Sequence, residues 1–88
     1  MRELTIRERE LAGPKELHAL VARELGFPSW YGNNLSALAD CLGDVSQPTR
    51  VTLVAEEEPS AWFLKAARVF RRVAHENPSL QVSVRAAG

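Results

Sequence analysis

Apolar residues change their spacing several times along the chain, and each change predicts an element. Leu4-Thr5-Ile6 alternates apolar and polar between charged neighbours, which predicts a short strand. Gly13-Pro14 opens a helix, with Pro14 suited to the first helical position. Leu17, Leu20, Val21 and Leu25 then share one face at helical spacing. Gly26 predicts a left-handed stop, and Phe27-Pro28 reinforces the break. Asn33 or Asn34 caps a second helix. Its buried stripe is Leu35, Leu38, Leu42 and Val45 with Cys41 beside it, while Ser36, Asp40 and Asp44 follow at i+4 steps on the polar face. Gln47-Pro48-Thr49 is a turn, and residues 50–55, rich in β-branched side chains, predict a buried strand. Ser60 precedes a long helix from about Ala61 to Glu76, whose wide apolar face is Trp62, Phe63, Ala66, Ala67, Phe70, Val73 and Ala74. Asn77-Pro78 ends it, and Leu80-Gln81-Val82-Ser83-Val84 alternates again as a final strand.

The order is strand-helix-helix-strand-helix-strand. Strands separated by helices favour parallel pairing through right-handed crossovers. The expected class is α/β, a small three-stranded parallel sheet packed against helices. Eighty-eight residues leave room for one core, so residues 1–88 are expected to form one domain. The start of the chain lacks a long apolar run, and no stretch of 18 apolar residues occurs, which points to a cytoplasmic protein with no membrane span.

Composition narrows the chemistry. Cys41 is the sole cysteine, so an internal disulfide and a cysteine-based metal cluster are excluded, and with only His18 and His75 no zinc site is expected. Neither histidine sits in a nucleophile motif, and the glycines at 13, 26, 32, 43 and 88 are too scattered for a phosphate loop. The chain is therefore read as no enzyme and as needing no cofactor. Formal net charge is zero, divided as −2 over residues 1–44 (5 basic, 7 acidic) and +2 over residues 45–88 (6 basic, 4 acidic). Lys65, Arg68, Arg71, Arg72 and His75 populate the polar side of the last helix without interleaved aromatics, which makes a single-strand nucleic-acid platform a poor fit. Two consecutive aromatics, Trp30 and Tyr31, cannot easily both point inward, and an exposed aromatic beside the single carboxylate Asp40 suits a protein interface.

The stretch from Phe27 to Leu42, FPSWYGNNLSALADCL, resembles the signature of the barstar family of intracellular ribonuclease inhibitors. The matching positions are Pro28, Trp30, Tyr31, Gly32, Asn34, Leu35, Ala37, Leu38, Asp40 and Leu42, and Val69-Phe70-Arg71 resembles the family's last helix. The resemblance implies a protein that blocks a small extracellular ribonuclease, or a related nuclease toxin, as a 1:1 complex with a monomer. It implies that Asp40 enters the phosphate pocket, that Trp30 and Tyr31 cover the cleft, and that backbone around Gly32 and Asn34 adds hydrogen bonds. The partner-binding set expected on this basis is Trp30, Tyr31, Gly32, Asn34, Leu35, Ser36, Ala39, Asp40, Gly43, Asp44, Arg72 and Glu76.

The sequence departs from the family pattern where an acid is replaced by Ser36, a tryptophan by Ala39 and a glutamate by Arg72, with Glu76 one turn later as a partial substitute. The segment between Ala55 and Ser60 is also too short for a small helix common in the family. Fewer carboxylates weaken steering toward a cationic active site, and Arg72 would repel an arginine-lined pocket. These changes keep open a partner other than the usual ribonuclease, including a non-nuclease protein.

Overall fold

The computed structural model describes residues 1–87; Gly88, the last residue of the expected domain, lies outside them. The elements are β1 (Arg2–Arg7), α1 (Pro14–Leu25), α2 (Leu35–Gly43), β2 (Thr49–Ala55), α3 (Ala61–Glu76) and β3 (Leu80–Ala86), with a short 3-10 turn at Glu8–Glu10. The fold is α/β, with three parallel strands in the order β1-β2-β3.

Consecutive strands are neighbours, and both crossovers step in the same direction across the sheet. Right-handed crossovers of that kind place their helices on one face. The burial pattern agrees. On the helix side, Leu4 and Ile6 of β1, Val51, Leu53 and Ala55 of β2, and Leu80 of β3 are buried. On the other side Glu3, Thr5, Arg7, Arg50, Ser83 and Arg85 are exposed, with Thr52 and Val54 half-buried. The segment at 50–55, expected to be buried throughout, therefore alternates, because nothing among the described residues packs on the second face. Glu3 and Arg50 are register partners there and form an exposed ion pair at 3.7 Å.

The core forms where α1 contributes Leu17, Val21 and Leu25, α2 contributes Leu38, Cys41 and Leu42, and α3 contributes Phe63, Ala66, Ala67, Phe70 and Val73. Val45, expected at the end of the α2 stripe, is buried, while Leu35 is only half-buried. Gly26 adopts the left-handed conformation (φ +68°) that ends α1, with the Phe27 N–H donating to Ala22 O at 2.9 Å. Residues 56–60 form no helix. That loop is pinned from β1's side: the Glu8 carboxylate accepts from Glu56 N (2.9 Å) and Ser60 N (2.8 Å). Burial pushes the Glu8 carboxyl up, but these backbone donors outweigh it and hold its pKa below the usual range.

Candidate functional site

The loop at residues 27–34 is built around Tyr31. Its ring turns inward, packs against Phe27 at 5.1 Å between ring centres, and its hydroxyl pairs with His18 Nδ1 at 2.5 Å. Burial lowers the His18 pKa, which favours the neutral ring, and raises that of Tyr31 to about 12, with the Cys41 thiol adding to the effect. The Tyr31 N–H donates to Pro28 O at 3.0 Å and closes the turn. With Tyr31 anchored, its neighbour must point the other way: Trp30 is 72% exposed. The sequence offered both rings to a partner; the fold presents one and uses the other as the loop's footing.

Asn33 then takes the left-handed conformation (φ +54°), which asparagine tolerates better than most residues. Asn34 is the cap. Its Oδ1 accepts from Ala37 N at 2.8 Å, and its Nδ2 donates to Gly32 O at 3.2 Å. A Cβ at Gly32 would lie 2.9 Å from that Nδ2, so a side chain there would push the Asn34 amide out of its bond to the loop.

From this cap α2 projects Ser36 and Asp40 outward, and Asp44 follows as its exposed C-cap. Ala39 and Leu35 are half-buried beside them, and Gly43 is exposed. No basic residue lies in the last turn, so the negative end of the helix dipole adds to both carboxylates. The two ion pairs among the described residues, Arg23–Glu24 and Arg50–Glu3, lie elsewhere, leaving Asp40 and Asp44 without a cationic partner there. Both acids also help burial raise the Cys41 pKa; burial is the larger cause, and the thiol stays in the core as expected. Among the described residues no cluster of three or more His, Cys, Asp or Glu could hold a metal ion. A cavity of roughly 410 Å³ opens between Trp30, Phe27, Pro28 and Asp44, with Arg2 at its border.

Glu76 is the last residue of α3, and Asn77 caps that helix. Asn77 Nδ2 donates to Leu42 O and Val45 O, each at 3.0 Å, tying the end of α3 to the end of α2. Asn77 was legible in sequence only as a helix stop, and His18 only as a histidine of α1; neither spacing nor residue type announces the bonds they make, 32 or more residues away for Asn77 and thirteen for His18. Arg72 is exposed and lines a groove on the flank of α3 that faces Val84 of β3.

No helix among the described residues is long and apolar enough to cross a membrane. No curated protein matches the chain. Residues 1–84 match a family model described as Barstar (barnase inhibitor).

Proposed function

The chain belongs to the barstar family, and from that premise we propose that it is an intracellular inhibitor, or immunity protein, that blocks the active site of a secreted microbial ribonuclease. The observation that carries this reading is the outer face of α2. There Asp40 is exposed and among the described residues has no internal cation, and Asp44, one turn further on, lines a cleft with the exposed Trp30. A carboxylate so presented can take the place of an RNA phosphate among a nuclease's arginines and histidine, where charge-assisted hydrogen bonds are strong. Trp30 then shields the cleft from water. Gly32, Asn34, Leu35, Ala39 and Gly43 supply backbone and small side chains that let the partner approach closely, and Ser36, Asp44 and Glu76 supply polar contacts at the edge. Tyr31 serves from beneath, by fixing the loop. In this reading residues 1–88 act as one monomeric domain, bind one enzyme, and use neither cofactor nor catalytic chemistry.

The test is RNA cleavage by a panel of small guanyl-preferring ribonucleases, with and without the protein and its Asp40→Ala variant. Stoichiometric inhibition that the variant loses by at least 100-fold in affinity is the expected outcome. Inhibition unchanged by Asp40→Ala would end the phosphate-mimic reading. Ser36 and Arg72 favour a second reading, a different toxin or a non-nuclease partner, which stands if no ribonuclease of the panel is inhibited.

A further inference from the structure

Away from Asp40, the flank of α3 and the edge of the sheet enclose a groove of roughly 560 Å³. Its walls include Leu64 and Val84, which are 47% and 40% exposed and are two of the four large apolar side chains exposed among the described residues. Val84 lies on the helix side of β3, in register with the buried Leu53. It is uncovered because α3 shields β3 unevenly: Leu80 is buried, Val82 half-buried, and Val84 and Ala86 are exposed. Arg68, Arg71, Arg72 and His75 form the rest of the lining. Neither ion pair among the described residues involves α3, whose sole acid is its last residue, Glu76. Beside this basic wall, β3 pairs with β2 alone among the described residues, so its outer edge is open over seven residues with no proline and one charged side chain, Arg85, on the face away from α3. Edge strands that are not to be paired usually carry more charge or a proline.

We propose that this groove is a second docking site, for an extended acidic segment of a protein partner that pairs with the edge of β3 and lays its carboxylates on Arg68, Arg71 and His75. The spacings fit. Along a helix, steps of three or four residues advance about 4.5–6 Å, which is the step from Leu64 to Arg68, to Arg71 and to His75. Along a strand, alternate side chains on one face repeat every ~6.7 Å. A strand added to β3 would turn every second side chain toward α3, presenting one apolar residue at Leu64 and Val84 and then acids at alternate positions. Edge pairing supplies affinity through the main chain, and the pockets beside it supply selectivity. Arginine forks match carboxylates in two hydrogen bonds, and a cleft of one sign strengthens the attraction.

RNA fits less well, since no Phe, Tyr or Trp lines the groove and its apolar lining, Leu64, Ala67 and Val84, is aliphatic. The densest acidic run a second copy could offer is Glu56-Glu57-Glu58, and its backbone is tied at the Glu56 N–H to Glu8 within its own chain. The site does not depend on the ribonuclease reading: of its lining only Arg72 belongs to the partner set expected there, and the acidic segment is placed on Arg68, Arg71 and His75.

The test is a fluorescence-anisotropy titration of the intact protein with a labelled peptide of about eight residues, leucine followed by glutamates at three alternate positions with threonines between. We expect saturable binding at low salt that weakens as salt rises, at least tenfold weaker binding to the glutamine version, and the same loss in the R68E/R71E variant. A Leu64→Ser variant should also bind more weakly, whereas Asp40→Ala should bind as well as the parent. Circular dichroism checks that the variants, all changed at exposed positions, stay folded. Absence of saturable binding, or binding indifferent to R68E/R71E or to glutamine, overturns the proposal. So does tighter binding of a short RNA at the same arginines, or concentration-dependent self-association that blocks the groove.

Discussion

Asp40 and Asp44 sit four residues apart at the C-terminal end of α2, where carbonyl groups already present negative partial charge and no lysine or arginine offsets it. Each carboxylate there works against the helix by about 0.3–1 kcal/mol. A residue that opposes its own element is one that the fold alone does not explain. Asp40→Asn should therefore raise the thermal midpoint of the free protein by a few degrees while weakening partner binding; a shift of about 1 kcal/mol moves the midpoint of a domain this size by ~4–8 °C at most. Differential scanning calorimetry of the free variant checks the first half. A lowered midpoint would mean that Asp40 serves the helix. The loop residues next to it follow the opposite logic. Gly32 and Asn34 satisfy bonds within the turn, and Tyr31 bonds His18 of α1, so together they fix the loop from which Trp30 points outward.

At the scale of elements, the candidate surface depends on how α2 is held. Its N-terminus is capped from within by Asn34, but its C-terminus relies on Asn77, which answers the carbonyls of Leu42 and Val45 from the end of α3. Removing that amide leaves partly buried carbonyls without their donor, a loss of about 1–3 kcal/mol. Asn77→Ala should lower the urea midpoint accordingly, and amide exchange should quicken over residues 42–46 more than in β2. Equal acceleration everywhere would show that Asn77 contributes to global stability alone. The strands divide in a similar way. β2 is paired on both sides, whereas β3 has one open edge beside a basic helix.

For the whole molecule, buried titratable groups set a stability window in pH. The Glu8 pKa is lowered, so its contribution is present above the unfolded value near 4.5 and is lost as pH falls through the lower folded value. The His18 pKa is lowered by burial, so the unfolded chain takes up a proton near pH 6.5 before the folded one does, and stability begins to fall there on acidification. Tyr31 acts at the other end: with its pKa raised from 10.0 to about 12, stability declines as pH rises through that interval. Cys41, also raised above its ordinary value of 9.0, adds to the alkaline loss. Urea midpoints measured from pH 4 to 11 should therefore plateau between about 6.5 and 9. In His18→Gln the acid decline should start lower, near the range set by Glu8; an unchanged profile would remove His18 from this account.

The element order, the parallel sheet, the Gly26 stop and the helix at Ala61–Glu76 were all legible in the sequence. Each rests on spacing, on a cap or on a stop, and those are local. The aromatic turn and its helix were legible too, because a run of side chains so closely spaced carries its own geometry. What the sequence left open depended on partners distant along the chain. Which of Trp30 and Tyr31 faces outward was decided by His18, thirteen residues away. The loop at 56–60 is held by Glu8, about fifty residues away. The end of α2 is fixed by Asn77, and the alternation within β2 by a sheet left bare on one face. Local physics determined the elements of this protein and the residues it could offer to a partner. Packing between distant segments decided which of those residues reach the surface, since only folding brings a buried hydroxyl, carboxylate or carbonyl to the one group that satisfies it.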